Sequence, residues 1–216
     1  MVDVRLNAIV DRERANGRSL ADLTRIVAAG GATLIQLRDK HGSTRHTIEE
    51  ARAIRAVLAG TGVPLVINDR VDVALIAEAD GVHVGQDDMR VEDARRLLGP
   101  NAIIGLSIKS VAQANAAPLD ELDYVGVGGV YATTSKNNPD PPIGSAGLRD
   151  IVAALRSRRG DLPICGIAGI DTGNAAGVIG AGADGVAVIS ALSMKRDPET
   201  AARELRAVVD QALAKR

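Results

Sequence analysis

The stretch YVGVGGVYATTSK, residues Tyr124–Lys136, begins as an apolar segment and ends in glycines, hydroxyls and a lysine. Its apolar part, residues 122–127, is short and predicts a strand that is buried on both faces. Gly128 and Gly129 allow the backbone to turn sharply or to approach a ligand closely. The polar, proline-rich sequence that follows, up to residue 144, predicts a loop. This stretch is either an ordinary surface loop or a site for an anionic ligand at the end of a strand.

The same arrangement recurs along the chain, which favours the site. Eight apolar segments predict strands, and each is followed by a segment with a helical pattern of apolar residues. The predicted strands cover residues 4–10, 33–37, 63–67, 81–84, 102–106, 122–127, 162–166 and 184–189. This pattern predicts a (β/α)8 barrel, or TIM barrel, as a single domain over residues 1–216. A doubly wound open sheet is the alternative, but no nucleotide-binding glycine pattern follows the first strand.

The predicted helices carry start signals and apolar stripes. Ser19 and Ser110 are expected to cap helices, and Asp197 precedes a proline at the first position of the last helix. The seventh helix is predicted to span residues 172–180. The fourth helix is expected to bury a stripe formed by Val91, Ala94, Leu97 and Leu98.

Composition narrows the functional class. The net charge of −1 comes from interspersed acids and bases, so the chain gives little support for binding nucleic acid. Cys165 is the only cysteine, which excludes an internal disulfide and a cysteine-based metal cluster. The first residues are neither a signal peptide nor a membrane span. We expect a soluble, cytoplasmic protein.

In a barrel of this kind, the chemistry lies where the strands end. Polar residues at the predicted strand ends include Gln36, Arg38, Lys40, Asn68, Asp69, Asp88, Ser107, Thr133, Ser135 and Lys136. Arg38 offers a planar fork that suits phosphate, and Lys40 and Lys136 act as point charges. Any one of these cations alone would more often be a solvated surface residue. Their convergence on one end of a barrel predicts an anion-binding site.

Asp69 and Asp88 leave adjacent predicted strands. Their carboxylates could share Mg²⁺, which proteins commonly hold with one or two carboxylates together with substrate phosphates. Because each aspartate also precedes a predicted helix, helix capping is the alternative. His83 lies in the fourth strand and is expected to be an interior residue rather than a metal ligand.

Small residues at 166–169 and 185–190 are typical of the phosphate site that follows strands seven and eight in many barrels. Tight packing of glycine and alanine is the alternative reading of the same residues. The sequence thus predicts two anion sites, one on strands two to six and one on strands seven and eight.

Seven motifs in this order resemble the thiamine phosphate synthase family over nearly the whole chain. They are QLRDK (36–40), NDRVDVA (68–74), DGVHVGQDD (80–88), GLS (105–107), GGVYATTSK (128–136), GIAGI (166–170) and ADGVAVIS (183–190). The chain departs from the family pattern at Gly129, Ser135 and Ala168, where proline, threonine and glycine are common. The resemblance implies an Mg²⁺-dependent transferase that couples hydroxymethylpyrimidine diphosphate to hydroxyethylthiazole phosphate and releases diphosphate. Because an electron-rich aminopyrimidine can stabilise a methylene cation, we expect a dissociative path.

The resemblance also implies a role for each matching residue. Arg38, Lys136 and Ser107 are expected to act in catalysis, and Asp69 and Asp88 to bind Mg²⁺. The pyrimidine diphosphate is expected to contact Gln36, Arg38, Lys40, Asn68, Ser107 and Lys136. The thiazole phosphate is expected to contact Thr133, Thr134, Ser135, Gly169, Ile189 and Ser190. Loops at residues 11–18 and 137–144 are expected to close over the site.

Two other functions stay open from the sequence. A thiazole tautomerase of the same superfamily would need a proton-transferring group, but the loop after strand five offers Lys109 instead of a histidine. A non-catalytic sensor of phosphate ligands would leave the two aspartates without a purpose. The expected partners are small-molecule substrates, without nucleic acid or membrane, and a homodimer is a further expectation.

Overall fold

Eight parallel strands close into a barrel in which each strand pairs with its neighbours in sequence and the last pairs with the first. The computed structural model describes residues 1–135 and 141–216. The strands are β1 Leu6–Asp11, β2 Leu34–Arg38, β3 Leu65–Asn68, β4 Gly81–Val84, β5 Ile103–Ile108, β6 Tyr124–Gly128, β7 Ile164–Ile167 and β8 Gly185–Val188. The predicted (β/α)8 barrel is therefore confirmed. All strands run the same way, so their carboxyl ends meet at one end of the barrel, which we call the mouth.

Helices follow the strands and cover the outside of the barrel. They are α1 Leu20–Ala29, α2 Thr44–Leu58, α3 Val71–Ala77, α4 Val91–Leu98, α5 Val111–Ala116, α6 Gly144–Arg158, α7 Ala175–Gly180, α8 Ser190–Ser193 and α9 Pro198–Leu213. The predicted caps are confirmed, because the side chains of Ser19, Ser110 and Asp197 each accept a backbone N–H in the first turn. Within residues 1–135 and 141–216, none of the helices combines the length and the apolar character needed to cross a membrane.

The barrel interior is a small apolar cluster that is separate from the larger core between barrel and helices. Side chains alternate along a strand, so residues two positions apart face the same side. Ile9 belongs to the interior cluster, which places Asp11 on the interior side at the mouth. Leu34 likewise places Gln36 and Arg38 inside. The interior is thus apolar in its middle and becomes polar toward the mouth.

Most strands end later than the sequence pattern predicts. Arg38 and Asn68 are the last residues of β2 and β3, and Ser107 lies within β5 instead of after it. The prediction ended each strand where the apolar run ended. Backbone pairing does not depend on apolar side chains, so it continues through residues whose polar side chains line the mouth.

Two predictions about the helices are wrong in detail. The seventh helix begins at Ala175 rather than at residue 172, because Asp171 accepts the Gly173 N–H at 2.8 Å and Asn174 accepts the Asp171 N–H at 3.0 Å. These bonds form a turn before the helix begins. Leu97 was predicted to be buried on α4 but is 49% exposed.

Candidate active site

Arg38 is fixed at the mouth by a buried carboxylate. The parallel pairing of β1 with β2 places Asp11 opposite Arg38, and the two side chains form an ion pair. Asp11 is only 2% exposed and Arg38 is 14% exposed. Asp11 also accepts the Glu13 N–H at 2.9 Å, which begins the short 3₁₀ turn Arg12–Arg14. The guanidinium is therefore held in place before any ligand arrives, while its remaining N–H groups can bind an anion.

A lysine and two aspartates lie together near the end of β2: Lys40, Asp69 and Asp88. Lys40 pairs with Asp69, which has a left-handed backbone (φ 65°) and donates its N–H to His83 O at 2.8 Å. Burial raises the pKa of Asp88, and the neighbouring Asp69 carboxylate raises that pKa further. This second effect requires the two carboxylates to be close. We call Asp69 and Asp88 the carboxylate pair.

Neither member of the carboxylate pair caps a helix. The residues that precede α3 and α4 in the cap position are Arg70 and Arg90, and neither makes a side-chain capping bond. Asp88 instead accepts the Gly85 N–H at 2.8 Å within its own loop. The capping alternative from the sequence is therefore wrong.

The carboxylate pair suits a cation that takes most of its ligands elsewhere. Within residues 1–135 and 141–216, no group of three or more His, Cys, Asp or Glu residues is arranged so that it could hold a metal ion. Two carboxylates are enough for Mg²⁺ when a substrate phosphate and waters complete the octahedral shell. Lys40, already paired with Asp69, shows that a positive charge is favoured at this position.

Ser107 is tied to the barrel interior by two hydrogen bonds in series. Its Oγ lies 2.8 Å from His83 Nε2, and His83 Nδ1 lies 2.8 Å from the hydroxyl of Tyr124. Tyr124 is fully buried and His83 is nearly so, which confirms that His83 is an interior residue. We call Tyr124, His83 and Ser107 the interior hydrogen-bond chain. Sequence reasoning missed Tyr124, because its partner stands on a strand distant in sequence.

Gln36 and Asn68 complete the polar floor of the mouth. Gln36 is buried within β2 and pairs in register with Ile9 of β1 and Val66 of β3. Asn68 is half-buried and pairs in register with His83. Of the residues predicted to hold the pyrimidine diphosphate, Gln36 and Arg38 thus lie on β2, Asn68 lies on β3, Ser107 lies on β5 and Lys40 follows β2. Lys136 lies outside the described residues.

A second feature of the mouth is a cavity of about 490 Å³ at the ends of β6, β7 and β8. We call it the hydroxyl-lined cavity. Its lining includes every residue predicted to contact the thiazole phosphate: Thr133, Thr134, Ser135, Gly169, Ile189 and Ser190. Ser135 and Ser190 are joined through their Oγ atoms at 2.8 Å. Gly169 has a φ of 66°, and a Cβ there would lie 2.4 Å from Ala132 O, so only glycine fits this turn.

Lys195 also lines the hydroxyl-lined cavity and was missed from the sequence. It follows α8, and its backbone carbonyl accepts a bond from Arg18 Nη2 at 3.2 Å. Arg18 Nη1 also donates to Ser193 O at 3.2 Å. The loop after β1 therefore holds the segment that presents Lys195. No motif marks this lysine, because the short helix α8 determines where it lies.

The loop after β1 also reaches the loop after β6. Arg14 Nη2 donates to Thr134 O at 2.6 Å, which links the two sides of the mouth. The first half of the other loop expected to close, residues 137–140 of 137–144, lies outside the described residues. A larger cavity, about 570 Å³, lies beside the start of β3 and the end of α2, at the opposite end of the barrel.

A closed parallel barrel whose mouth combines cations, paired carboxylates and a hydroxyl-lined cavity defines a (β/α)8 protein for phosphorylated small molecules. The family model described as thiamine monophosphate synthase matches residues 6–192. The chain belongs to this family.

Named relatives resemble the chain along its full length. The thiamine-phosphate synthase of Agrobacterium fabrum is 52% identical over 100% of this chain and 98% of its own. The enzyme of the same name from Chloroflexus aurantiacus is 49% identical over 97% and 94%. A solved structure, the thiamine phosphate pyrophosphorylase of Pyrococcus furiosus, is 36% identical with a TM-score of 0.84 over 98% of both chains.

Proposed function

We propose that this chain couples hydroxymethylpyrimidine diphosphate to hydroxyethylthiazole phosphate, forming thiamine phosphate and releasing diphosphate. The observation that carries the proposal is the division of one mouth into a cationic region and a separate hydroxyl-lined cavity. A cationic site on β2 to β4 faces the hydroxyl-lined cavity on β6 to β8. Two substrates that each carry phosphate need two such sites, with their reacting ends meeting between them.

The cationic site suits the diphosphate group. Arg38 is held by Asp11 and can offer a bidentate contact, while Lys40 can exchange Asp69 for a phosphate oxygen. Gln36, Asn68, Ser107 and Lys136 are assigned to the same substrate on the basis of their motif positions. Charge develops on the diphosphate as it leaves, so fixed donors and cations here stabilise the transition state more than the ground state.

Asp69 and Asp88 are assigned to Mg²⁺. Their proximity, the raised pKa of Asp88 and the absence of a capping role support this assignment. Bound Mg²⁺ would supply Lewis-acid stabilisation of the leaving diphosphate. Asp69 and Asp88 would hold the cation in place. Their negative charges would balance part of the positive charge of Mg²⁺ and Lys40.

The reaction itself needs no protein nucleophile. The bond between the pyrimidine methylene carbon and the diphosphate oxygen breaks, and its electron pair leaves with diphosphate. The electron-rich aminopyrimidine stabilises the methylene cation, and the thiazole nitrogen then donates its lone pair to form the new carbon–nitrogen bond. The link from Arg14 to Thr134 supports a closed mouth that excludes water, a competing nucleophile.

One assay tests the proposal. The purified protein is mixed with both substrates and Mg²⁺, and thiamine phosphate and diphosphate are measured together. We expect equal amounts of the two products, formed only when both substrates are present. Binding of either substrate without any product would contradict the proposal. The synthase names of the relatives leave the tautomerase and the sensor without support.

A cytoplasmic location and a homodimer are further proposals that rest on sequence and family. Cell fractionation tests the first of them. Analytical ultracentrifugation of the purified protein tests the second.

A further inference from the structure

We propose that Tyr124 and His83 are positioning residues that fix the Ser107 hydroxyl as a hydrogen-bond donor toward the mouth. The inference rests on the proposed function, because it assigns a task to the interior hydrogen-bond chain in the same reaction. The interior hydrogen-bond chain spans three neighbouring strands, since His83 lies on β4, Ser107 on β5 and Tyr124 on β6. Both of its hydrogen bonds are 2.8 Å long.

The phenol of Tyr124 determines which atom donates and which accepts in each bond of the interior hydrogen-bond chain. Burial raises the pKa of Tyr124 well above its usual value, so the phenol keeps its proton at neutral pH. A buried hydroxyl donates its proton to an acceptor, and His83 Nδ1 is at hydrogen-bond distance. The Asn7 amide also lies beside this hydroxyl and lowers the pKa of Tyr124 slightly, as an amide N–H directed at the phenol oxygen does, which leaves the phenol proton for His83.

A histidine that accepts at Nδ1 carries its proton on Nε2. His83 Nε2 therefore donates to Ser107 Oγ and uses one of its lone pairs. The Ser107 proton cannot point back along this bond. It is directed away from His83, toward the mouth, where an anionic substrate can accept it. Because the Ser107 O–H is already oriented, no free energy is lost in turning it when negative charge develops on the substrate.

Two glycines make the space that the interior hydrogen-bond chain occupies. A Cβ at Gly105 would lie 2.3 Å from Tyr124 Cζ and 2.5 Å from His83 Nδ1. A Cβ at Gly126 would lie 3.1 Å from His83 Cε1. Side chains on β5 and β6 at these positions would displace the two rings. The strands therefore leave room for this pair where a barrel interior is ordinarily filled by branched aliphatic residues.

A double-mutant cycle with Tyr124→Phe and Ser107→Ala tests the inference. Tyr124→Phe keeps the ring and removes the hydroxyl, so Tyr124 no longer fixes the His83 proton on Nε2 and Ser107 can turn toward His83. We expect kcat to fall about tenfold, below the 10²- to 10³-fold effect of deleting a transition-state donor. The KM for thiazole phosphate should not change. In the Ser107→Ala background, Tyr124→Phe should have no further effect on kcat.

Equal losses of kcat in both backgrounds would overturn the inference, since they would indicate a general packing role. Melting curves of all four proteins establish whether stability follows activity. Tyr131→Phe is the matched control, because Tyr131 is the other tyrosine and its hydroxyl bonds Ser145 Oγ at 3.2 Å. It should leave kcat unchanged. Failure of the wild type to form thiamine phosphate would instead refute the proposed function, and this inference with it.

Nitrogen-15 NMR reads the tautomer directly and does not depend on turnover. The chain has only three histidines, so the His83 signals can be assigned by mutating the other two. We expect wild-type His83 to carry its proton on Nε2 and Tyr124→Phe to give a mixture of tautomers. A wild-type His83 that is protonated on Nδ1 alone would overturn the inference.

Discussion

At the scale of single residues, Asp88 is the side chain whose charge decides the metal assignment. Asp88→Asn keeps the size and the acceptor for the Gly85 N–H but removes the charge. We expect activity to fall and the Mg²⁺ requirement to rise by at least on the order of 10-fold, because one carboxylate ligand is lost. Mg²⁺ titrations of product formation measure both effects. An unchanged Mg²⁺ requirement with full activity would refute the assignment.

The raised pKa of Asp88 adds a pH dependence. A carboxyl whose pKa is raised on folding favours the folded state most at pH values below its ordinary range, and this contribution is lost as pH rises through the raised pKa. Asp88→Asn should therefore melt at an equal or slightly higher temperature than the wild type at neutral pH, and the difference should vanish in acid. The wild-type Mg²⁺ requirement should also increase as pH falls through the raised pKa. A variant that melts lower at neutral pH would contradict this account.

Lys195 is expected to provide the positive charge of the hydroxyl-lined cavity. Lys195→Gln should raise the KM for thiazole phosphate about fivefold, equivalent to about 1 kcal/mol for a partly exposed charge-assisted contact. Because the contact is ionic, the wild-type KM should rise with salt more than that of the variant. Lys215→Gln, beyond the end of α9, is the matched control. An effect of Lys195→Gln on the pyrimidine diphosphate alone would contradict the assignment.

At the scale of elements, α1 contains a buried hydroxyl group whose removal is expected to stabilise the fold. Thr24 is fully buried there, and its hydroxyl has no hydrogen-bond partner in the part of the chain that the structure describes. Thr24→Val keeps the shape and removes the hydroxyl, so the free energy of unfolding should increase by about 1 kcal/mol. Such a change raises the melting temperature by about 2–4 °C in a domain of this size.

Thr24→Ser is the matched control, because it keeps the hydroxyl and loses the methyl group. It should lower the melting temperature. Activity should stay unchanged in both variants, since α1 lies outside the barrel wall. A less stable Thr24→Val protein would show that the hydroxyl is paired in solution.

The strands show what a sequence pattern can and cannot reveal. All eight were predicted, because each is a short apolar run between polar segments. Their ends were predicted too early at Arg38, Asn68 and Ser107, since polar side chains interrupt the apolar pattern but not the backbone pairing. These misplaced ends coincide with the predicted site, where interior side chains must be polar.

At the scale of the whole molecule, residues that act at strand ends were predictable and residues that act through a neighbour were not. Arg38 is recognisable because it ends an apolar run. Asp11, which holds it, becomes apparent only from the register between β1 and β2. Tyr124 reaches His83 across β5, at a sequence separation of 41 residues. Contacts of this kind depend on barrel closure, which no local pattern encodes.

The two-site arrangement of the mouth is the central claim, and a pair of variants tests it most directly. Arg38→Gln leaves a donor for Asp11 and should raise the KM for pyrimidine diphosphate roughly 30- to 150-fold, corresponding to about 2–3 kcal/mol for a lost bidentate contact. Ser190→Ala should raise the KM for thiazole phosphate about fivefold, as expected for one neutral hydrogen bond. Each variant should leave the KM for the other substrate nearly unchanged. Steady-state kinetics with each substrate varied in turn would contradict the account if either variant weakened both substrates equally.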